Sequence, residues 1–215
     1  MVRVIGDIHG DFKIYQDLIK DISHSIQVGD FGFEDAWNTL KEVDSNYHKI
    51  IPGNHDNYDY INLNKPPHIL GNFGEAILDQ LKFFFVRGGD SIDKKWRVIG
   101  RSWWKDEQLS YKQLQEAIDF YTICKPEIVI THTFPEVTFF ELFPKLWQVI
   151  PSITGNSLST MLEIHKPKLW IFGHMHPEKN IIKRIGETTF IVLKEFGYID
   201  YNPSFSIEEN IQSFT

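Results

Sequence analysis

Short apolar runs alternate with amphipathic stretches along the first half of the chain. Apolar runs that end at glycine or proline turns predict strands over residues 2–5, 25–28 and 48–51. Apolar side chains recur at helical spacing over residues 12–22, and residues 34–43 show a similar pattern, so we predict a helix in each segment. A strand followed by a helix, repeated in this way, is typical of an α/β fold.

The middle of the chain carries more glycine and fewer helical patterns. Gly71 and Gly74 interrupt the apolar stretch over residues 69–81, and residues 83–86 form a second apolar run. We predict a further strand over residues 97–99, shortly before Arg101. The pattern therefore indicates β-rich structure between the two halves.

The second half contains a near-repeat in which a helix, a Lys-Pro pair and a buried strand follow one another. Pro126 and Pro167 end the two predicted helices, because proline cannot continue a helix, and the strands that follow span residues 128–130 and 169–172. Each strand is followed within a few residues by histidine. Residues 181–184 and 188–193 are then predicted to form a β-hairpin.

Composition narrows the class of protein. The chain has 215 residues, a length typical of one domain, and no linker-like stretch, so we predict a single domain over residues 1–215. Lys and Arg total 22 against 29 Asp and Glu, a net charge of −7, which argues against a basic surface for long nucleic acid. Cys124 is the only cysteine, so the chain has no intrachain disulfide and no cysteine-based metal cluster.

Two absences bear on where the protein works. The sequence begins directly with a strand-like run instead of a charged leader and an apolar signal core. Its apolar runs are far too short to cross a bilayer. We therefore expect a cytoplasmic protein that acts away from membranes.

Side chains that bind metal ions follow five of the predicted strands. In open α/β sheets, ligands bind beyond the carboxyl ends of the strands, and an Asp-x-His or His-x-His pair there projects both side chains to one side. Carboxylate, amide and neutral imidazole groups suit Mn2+, Zn2+ or Fe. The candidate residues are Asp7, His9, Asp30, Asn54, His55, His132, His174 and His176.

In chain order these residues occupy five blocks, and together the blocks resemble the signature of the calcineurin-like metallophosphoesterases. The blocks are Gly6-Asp7-Ile8-His9-Gly10, Gly29-Asp30, Gly53-Asn54-His55-Asp56, Thr131-His132 and Gly173-His174-Met175-His176. The resemblance implies an α/β fold (α+β in some schemes) that forms a four-layer αββα sandwich, with a dinuclear metal site at one edge.

The resemblance also implies a role for each residue of the blocks. The metal ligands would be Asp7, His9 and His176 at one ion, Asn54, His132 and His174 at the other, and Asp30 between them. His55 would act as a general acid or stabilise the pentacovalent transition state, and Asp56 would orient it. We expect two divalent ions, first of all Mn2+, with Fe, Zn2+ or Ni2+ as alternatives.

By the same resemblance, the protein would be a metal-dependent phosphoesterase, a hydrolase that acts on a phosphomonoester or a phosphodiester. A hydroxide bridging two metal ions would attack the phosphorus, since ions about 3.5–4 Å apart clamp the attacking and leaving oxygens of an in-line displacement. The substrate would be a small phosphoester or a phosphoprotein. Two other functions stay open: a non-catalytic protein-interaction module on the same fold, and a nuclease or cyclic-nucleotide phosphodiesterase.

The chain departs from the protein Ser/Thr phosphatases and the diadenosine tetraphosphate hydrolases of this superfamily. Those branches have an Asp-Arg-Gly after the second block and an arginine before the third, whereas here neither arginine is present and Pro52 occupies the second position. Arg87 and Arg101 are the candidate substrate-binding residues instead, because a guanidinium binds phosphate through two parallel hydrogen bonds.

Overall fold

Two β-sheets form the centre of the computed structural model, which describes residues 1–32, 38, 40–148 and 150–214. The strands of the first sheet are β1 (Val2–Ile5), β2 (His24–Gln27), β3 (His48–Ile50) and β10 (Tyr198–Tyr201). Their order across the sheet is β10-β1-β2-β3. The neighbours β1, β2 and β3 are parallel, and β10 runs antiparallel to β1.

The second sheet combines parallel strands at its centre with antiparallel strands at both edges. Its strands are β4 (Phe73–Leu78), β5 (Leu81–Val86), β6 (Ile128–Thr131), β7 (Leu169–Phe172), β8 (Ile181–Ile185) and β9 (Thr188–Val192). Their order is β4-β5-β6-β7-β9-β8, with β4 and β8 antiparallel to their neighbours. The predicted hairpin near the C-terminal end is therefore confirmed as β8 and β9.

Helices cover the outer faces of the two sheets. They are α1 (Phe12–Ile19), α2 (Tyr58–Asn64), α3 (Tyr111–Cys124), α4 (Phe139–Leu142), α5 (Ile153–Ile164) and α6 (Ile207–Phe214). The boundaries of α3 follow from local chemistry, because Ser110 and Gln113 form a capping box at its start and Lys125 adopts a left-handed conformation at its end.

The buried side chains divide into layers that match the strand periodicity. In β7, Leu169 and Ile171 belong to the cluster between the sheets, whereas Trp170 and Phe172 belong to the cluster beneath α3 and α5. A third cluster, which includes Tyr15 of α1, fills the outer face of the first sheet. Successive strand residues point to opposite faces, so a continuous apolar run marks a strand buried on both sides. These layers confirm the predicted four-layer αββα sandwich.

Two sequence predictions have different outcomes. The strand predicted over residues 97–99 is wrong: these residues lie in an exposed turn, where the carbonyl of Val98 accepts N–H groups from Arg101, Ser102 and Trp103. The apolar pattern there has no core to face, since Val98 and Ile99 are 59% and 76% exposed. Half of the helix predicted over residues 34–43 lies outside the described residues. Within the described part, Leu40–Glu42 form a short 3-10 helix.

Neither the single domain nor the cytoplasmic location is tested by the fold, and both stay predictions. None of the helices that the structure describes is both long enough and apolar enough to span a bilayer.

The hydrophobic cluster between the sheets contains residues from both sheets, including Val4 and Ile171. This shared layer sets how the strand ends of one sheet meet those of the other.

Candidate metal centre

The candidate ligands lie just beyond the carboxyl ends of five parallel strands, three in the first sheet and two in the second. Asp7, Asp30 and Asn54 follow β1, β2 and β3, while His132 and His174 follow β6 and β7. A hydrogen bond of 3.0 Å joins the two sheets directly at this edge, from Nδ1 of His132 to the carbonyl oxygen of Val28. The strand ends therefore converge, as the sequence pattern predicts.

Several of the candidate ligands sit on strained backbone. His9, Asp30, His174 and His176 have φ values of 43°, 53°, 66° and 41°, in the left-handed region that side chains disfavour. Such a conformation costs on the order of 1–3 kcal/mol and persists only where the surrounding structure enforces it, commonly at functional sites. Four such residues gathered at one edge therefore favour this edge as a functional site.

The first group of candidate metal ligands comprises Asp7, His9, Asp30 and His176, whose ligand atoms all lie within 4.8 Å of one another. Nε2 of His176 is 2.7 Å from Oδ2 of Asp7 and 3.0 Å from Nε2 of His9. The hydrogen bond to Asp7 raises the pKa of His176. The two carboxylates are buried and the two imidazoles are exposed, so the group opens to solvent on its histidine side.

The second group comprises Asp30, His132 and His174, so Asp30 belongs to both groups. Nε2 of His132 lies 2.8 Å from Oδ1 of Asn54 and 3.3 Å from Oδ1 of Asp30. Since a carbonyl only accepts, the bond to Val28 places the imidazole proton on Nδ1 and leaves a lone pair on Nε2. Three acceptor atoms thus face one another in a buried place, which is the arrangement that a bound cation satisfies.

The protonation states of the candidate ligands are compatible with a bound cation. Burial lowers the pKa of His132 well below its usual range and that of His174 to about 3, so both imidazoles are neutral and can bind a metal. Burial, followed by the charges of Asp7 and Asp56, raises the pKa of Asp30. A divalent ion would offset the repulsion among these carboxylates, so the residues present fit the metal pair that the family uses.

Glycine allows the strand ends to approach this closely. A Cβ atom on Gly173 would lie 2.0 Å from Oδ1 of Asp7, and one on Gly53 would lie 2.3 Å from Oδ1 of Asp30. Both distances are far shorter than any real contact between such atoms. Gly53 and Gly173 are therefore required by the packing of these two carboxylates.

His55 lies beside the shared carboxylate. Its backbone N–H donates to Oδ1 of Asp30 at 2.7 Å, and its Nε2 accepts a hydrogen bond of 3.2 Å from Nη2 of Arg97. Burial first, and then the charge of Arg97, lowers the pKa of His55 to about 3. The imidazole is therefore neutral at pH 7 in the absence of substrate.

Asp56 is fully buried beneath the site. Its Oδ1 accepts the backbone N–H of Gly32 at 2.9 Å, and its Oδ2 accepts that of Gly53 at 2.7 Å. Burial raises the pKa of Asp56 to about 7, although these hydrogen bonds favour the charged form. Asp56 thereby ties together the two turns that carry Asp30 and Asn54.

The two predicted substrate-binding arginines, Arg87 and Arg101, do not line the cavity that lies beside His55. The guanidinium of Arg87 donates to Oδ1 of Asn72 and to the carbonyl of Asp106, both at 2.7 Å, and covers the ring of Tyr58. Arg87 therefore lines a neighbouring cavity, and Arg101 is exposed outside the cleft. Sequence reasoning missed Arg97, whose only signal is its spacing of four residues from Asp93.

A cavity of about 450 Å³ extends from the candidate ligands. Asn54, His55 and His174 form one end of it, with Arg97 beside them. Part of the remaining wall is apolar, and polar side chains that include Asp90, Asp93 and Glu136 form the rest of it. The apolar side chains are Ile92, Phe134, Phe139, Leu146, Ile150 and Met175. The centre therefore opens into a space that suits an organic group.

Solved structures share this fold at low sequence identity. A dimetal phosphatase from Danio rerio has a TM-score of 0.58 and 13% identity, over 94% of this chain and 89% of that one. For a phosphopantetheinyl hydrolase from Mycobacterium tuberculosis, the TM-score is 0.53 and the identity 12%, over 95% and 97% of the two chains. An anchor protein of the inner membrane complex of Plasmodium has a TM-score of 0.50 and 13% identity, over 89% and 70%.

At these identities the likeness shows the fold alone, and no curated protein matches the sequence significantly. The sequence profile described as calcineurin-like phosphoesterase matches residues 1–178, a segment that contains every candidate ligand from Asp7 to His176. The match spans most of the chain, and the convergent strand ends occur within it. The chain therefore belongs to the calcineurin-like phosphoesterase family.

Proposed function

We propose that this protein hydrolyses phosphoesters with the help of two divalent metal ions. The observation that carries the proposal is the meeting of three acceptor atoms at Nε2 of His132, within 2.8 Å of Asn54 and 3.3 Å of Asp30. Membership of a family of metal-dependent phosphoesterases supports the same activity. The presence of Asp30 in both groups of ligands favours two neighbouring ions over one.

The residues of the two groups have the chemistry that such ions require. The proposed ligands are Asp7, His9 and His176 at one ion, Asn54, His132 and His174 at the other, and Asp30 between them. Bound divalent ions supply positive charge to phosphate oxygens and lower the pKa of water from 15.7 to about 7, which makes a nucleophile available. Oxygen and imidazole ligands without thiolate are compatible with Mn2+, which we propose first, and with Fe, Zn2+ or Ni2+ as alternatives.

His55 and Arg97 are proposed to act on the phosphoryl group and its leaving oxygen. Arg97 offers N–H groups beside the imidazole, where a phosphate oxygen would accept them in place of Nε2 of His55. A phosphate anion at this position would also raise the pKa of His55, because a nearby negative charge favours imidazolium. His55 would then protonate the leaving oxygen as a general acid.

The cavity next to His55 supports a substrate whose leaving group is organic and at least partly apolar. Its volume of about 450 Å³ exceeds that of a simple phosphate, and its far walls include Phe139 and Ile150. A phosphomonoester or a phosphodiester with an aromatic or aliphatic alcohol would place that alcohol against these walls. The proposed class of substrate is therefore a phosphoester of an aromatic or aliphatic alcohol.

Substitutions separate metal binding from proton transfer. Asp30→Ala and His174→Ala are expected to abolish both Mn2+ binding and hydrolysis of aryl phosphates, because each removes a proposed ligand. His55→Ala is expected to retain both ions and to lower kcat by about 10²–10⁴-fold, the usual contribution of a general acid. Metal content by elemental analysis and turnover of a mono-aryl and a bis-aryl phosphate are the measurements.

The possible outcomes distinguish metal-dependent hydrolysis from metal binding alone. Turnover by protein stripped of metal would contradict the mechanism. Protein that binds two ions and hydrolyses neither ester would favour a non-catalytic interaction module. Preference for the bis-aryl ester would support hydrolysis and assign it to phosphodiesters.

A further inference from the structure

A buried chain of hydrogen bonds runs from the candidate ligand Asn54 to Glu107. Nδ2 of Asn54 donates to Oγ of Ser91 at 3.0 Å, and Oγ of Ser91 donates to Oε2 of Glu107 at 2.6 Å. The backbone N–H of Ser91 donates to Oε1 of the same carboxylate at 3.0 Å. All three side chains are almost completely buried, with exposures of 1%, 2% and 1%.

The direction of these bonds follows from the chemistry of the groups. A carboxylate accepts hydrogen bonds only, so the single hydroxyl proton of Ser91 is donated in a hydrogen bond to Glu107. The Ser91 oxygen is then left to accept, and it can accept only from the NH2 side of the Asn54 amide. The amide oxygen is thereby turned towards Nε2 of His132, 2.8 Å away.

The opposite orientation of the amide would place two N–H donors at the metal centre. An amide NH2 group is not a metal ligand, and its partial positive charge would repel a cation. Because Asn54 is 1% exposed, water has little access to correct the orientation. The position of one proton on Ser91 therefore decides whether this side chain can bind a metal.

The backbone around Ser91 is held to both partners. The N–H of Gly88 donates to the carbonyl of Pro52, two residues before Asn54, at 2.7 Å. The N–H of Gly89 donates to the carbonyl of Glu107 at 3.2 Å. A Cβ on Gly88 would lie 2.1 Å from that same carbonyl oxygen, so only glycine permits the contact. The segment therefore presents Ser91 in one place between Asn54 and Glu107.

We infer that Ser91 and Glu107 are positioning residues that orient the amide of Asn54 for metal binding. Neither side chain is a ligand; both act through Asn54. The inference rests on the metal site of the proposed function, but not on hydrolysis. Partners of this kind behind a metal ligand commonly contribute 10–100-fold to metal affinity.

The test is a calorimetric titration of the metal-free protein, residues 1–215, with Mn2+. Ser91→Ala removes the acceptor, and Glu107→Gln allows the bonds to reverse, since the new amide can donate to Ser91, which can then donate to the oxygen of Asn54. Each variant is expected to weaken Mn2+ at one of the two sites by about 10–100-fold and to leave the other unchanged. Asp106→Asn, next to Glu107 but bonded to Asn62, is the control and should bind like the unchanged protein.

A second substitution separates orientation from folding. Asn54→Asp has oxygen on both sides and needs no orientation, so Ser91→Ala should change Mn2+ affinity by less than about 3-fold when Asn54→Asp is already present. Unchanged affinity in Ser91→Ala and Glu107→Gln would overturn the inference, as would an equal loss at both sites. Glu107→Gln, which keeps the size of its side chain and reverses the bonds, provides the comparison if Ser91→Ala does not fold. Absence of hydrolysis would contradict the proposed function and would leave these binding results intact.

Discussion

Arg97 places a fixed positive charge beside His55. Its Nε donates to Oδ1 of Asp93 at 2.6 Å and its Nη1 to the carbonyl of Ser102 at 3.1 Å. These bonds leave Nη2 directed at the imidazole, 3.2 Å from Nε2. A guanidinium that is already oriented loses little side-chain entropy when it binds phosphate.

Replacement of this arginine tests its role in the cleft. Arg97→Ala is expected to lower kcat/KM for aryl phosphates by about 10–100-fold, since a hydrogen bond to a charged group contributes about 1.5–3 kcal/mol. Arg97→Lys should recover part of the loss because it keeps the charge without the planar geometry. Arg101→Ala is measured alongside and is expected to match the unchanged protein, as Arg101 is exposed outside the cleft. The reverse ranking of the two arginines would contradict the assignment.

At the scale of single residues, the sequence predicts types of ligand better than it predicts their neighbours. Asp30, Asn54 and His132 are recognisable because each follows an apolar run and stands beside glycine or a polar turn. Arg97 is not recognisable in this way, since its place depends on how an irregular turn folds back onto His55. Periodicity carries information about regular elements and little about such turns.

The end of β7 shows how an element delivers a ligand. Gly173 follows Phe172, and the next backbone N–H, that of His174, donates to Oδ2 of Asp7 at 3.0 Å. The strand thus approaches β1 of the other sheet across a single carboxylate. This approach leaves no room for a side chain at position 173.

A matched pair of glycine substitutions tests this packing. Gly173→Ala is expected to weaken metal binding by more than 10-fold and to lower Tm, because its Cβ would lie 2.0 Å from Oδ1 of Asp7. Gly186→Ala is the control: its Cβ has no neighbour within 4 Å, and its φ of 58° predicts only a cost on the order of 1–2 kcal/mol. Mn2+ titration and thermal unfolding are the measurements. Equal metal affinity in the two variants would show that Asp7 tolerates the methyl group.

Regular elements are the part of the fold that the sequence predicts well. Strands such as β6 and β7 are buried on both faces, so their apolar runs are continuous and unmistakable. The strand prediction over residues 97–99 is wrong because this apolar run is not buried on either face. Its apolar side chains are exposed, and a short run contains no information about whether a core lies beside it.

At the scale of the whole molecule, the two sheets bring together segments that are far apart in the chain. The cavity beside His55 is closed by residues 90–93 and 97 on one side and by residues between 133 and 152 on the other. Ile92 and Ile150 both line it and are 65% and 47% exposed, so they border its opening. Neither isoleucine belongs to the three buried hydrophobic clusters.

These two isoleucines test the proposed class of substrate. Ile92→Ser and Ile150→Ser are expected to raise KM for a naphthyl phosphate by roughly 5–20-fold. Apolar contact between each isoleucine and the leaving group would contribute on the order of 1–2 kcal/mol to binding. KM for glycerol phosphate, which does not reach these walls, should stay the same. Ile123→Ser, on the exposed face of α3, is the control. An equal change in KM for both substrates would argue against an apolar leaving group.

The sequence alone determined most of the strands, the chemical types of the candidate ligands and the glycines beside them, because burial and tight turns leave local patterns. Only the tertiary structure decided which arginine faces His55 and how the amide of Asn54 is turned. The bonds that orient this amide join residues 37 and 16 positions apart. Their geometry depends on the packing of irregular segments against two sheets, and no local pattern of hydrophobic and polar residues encodes that packing.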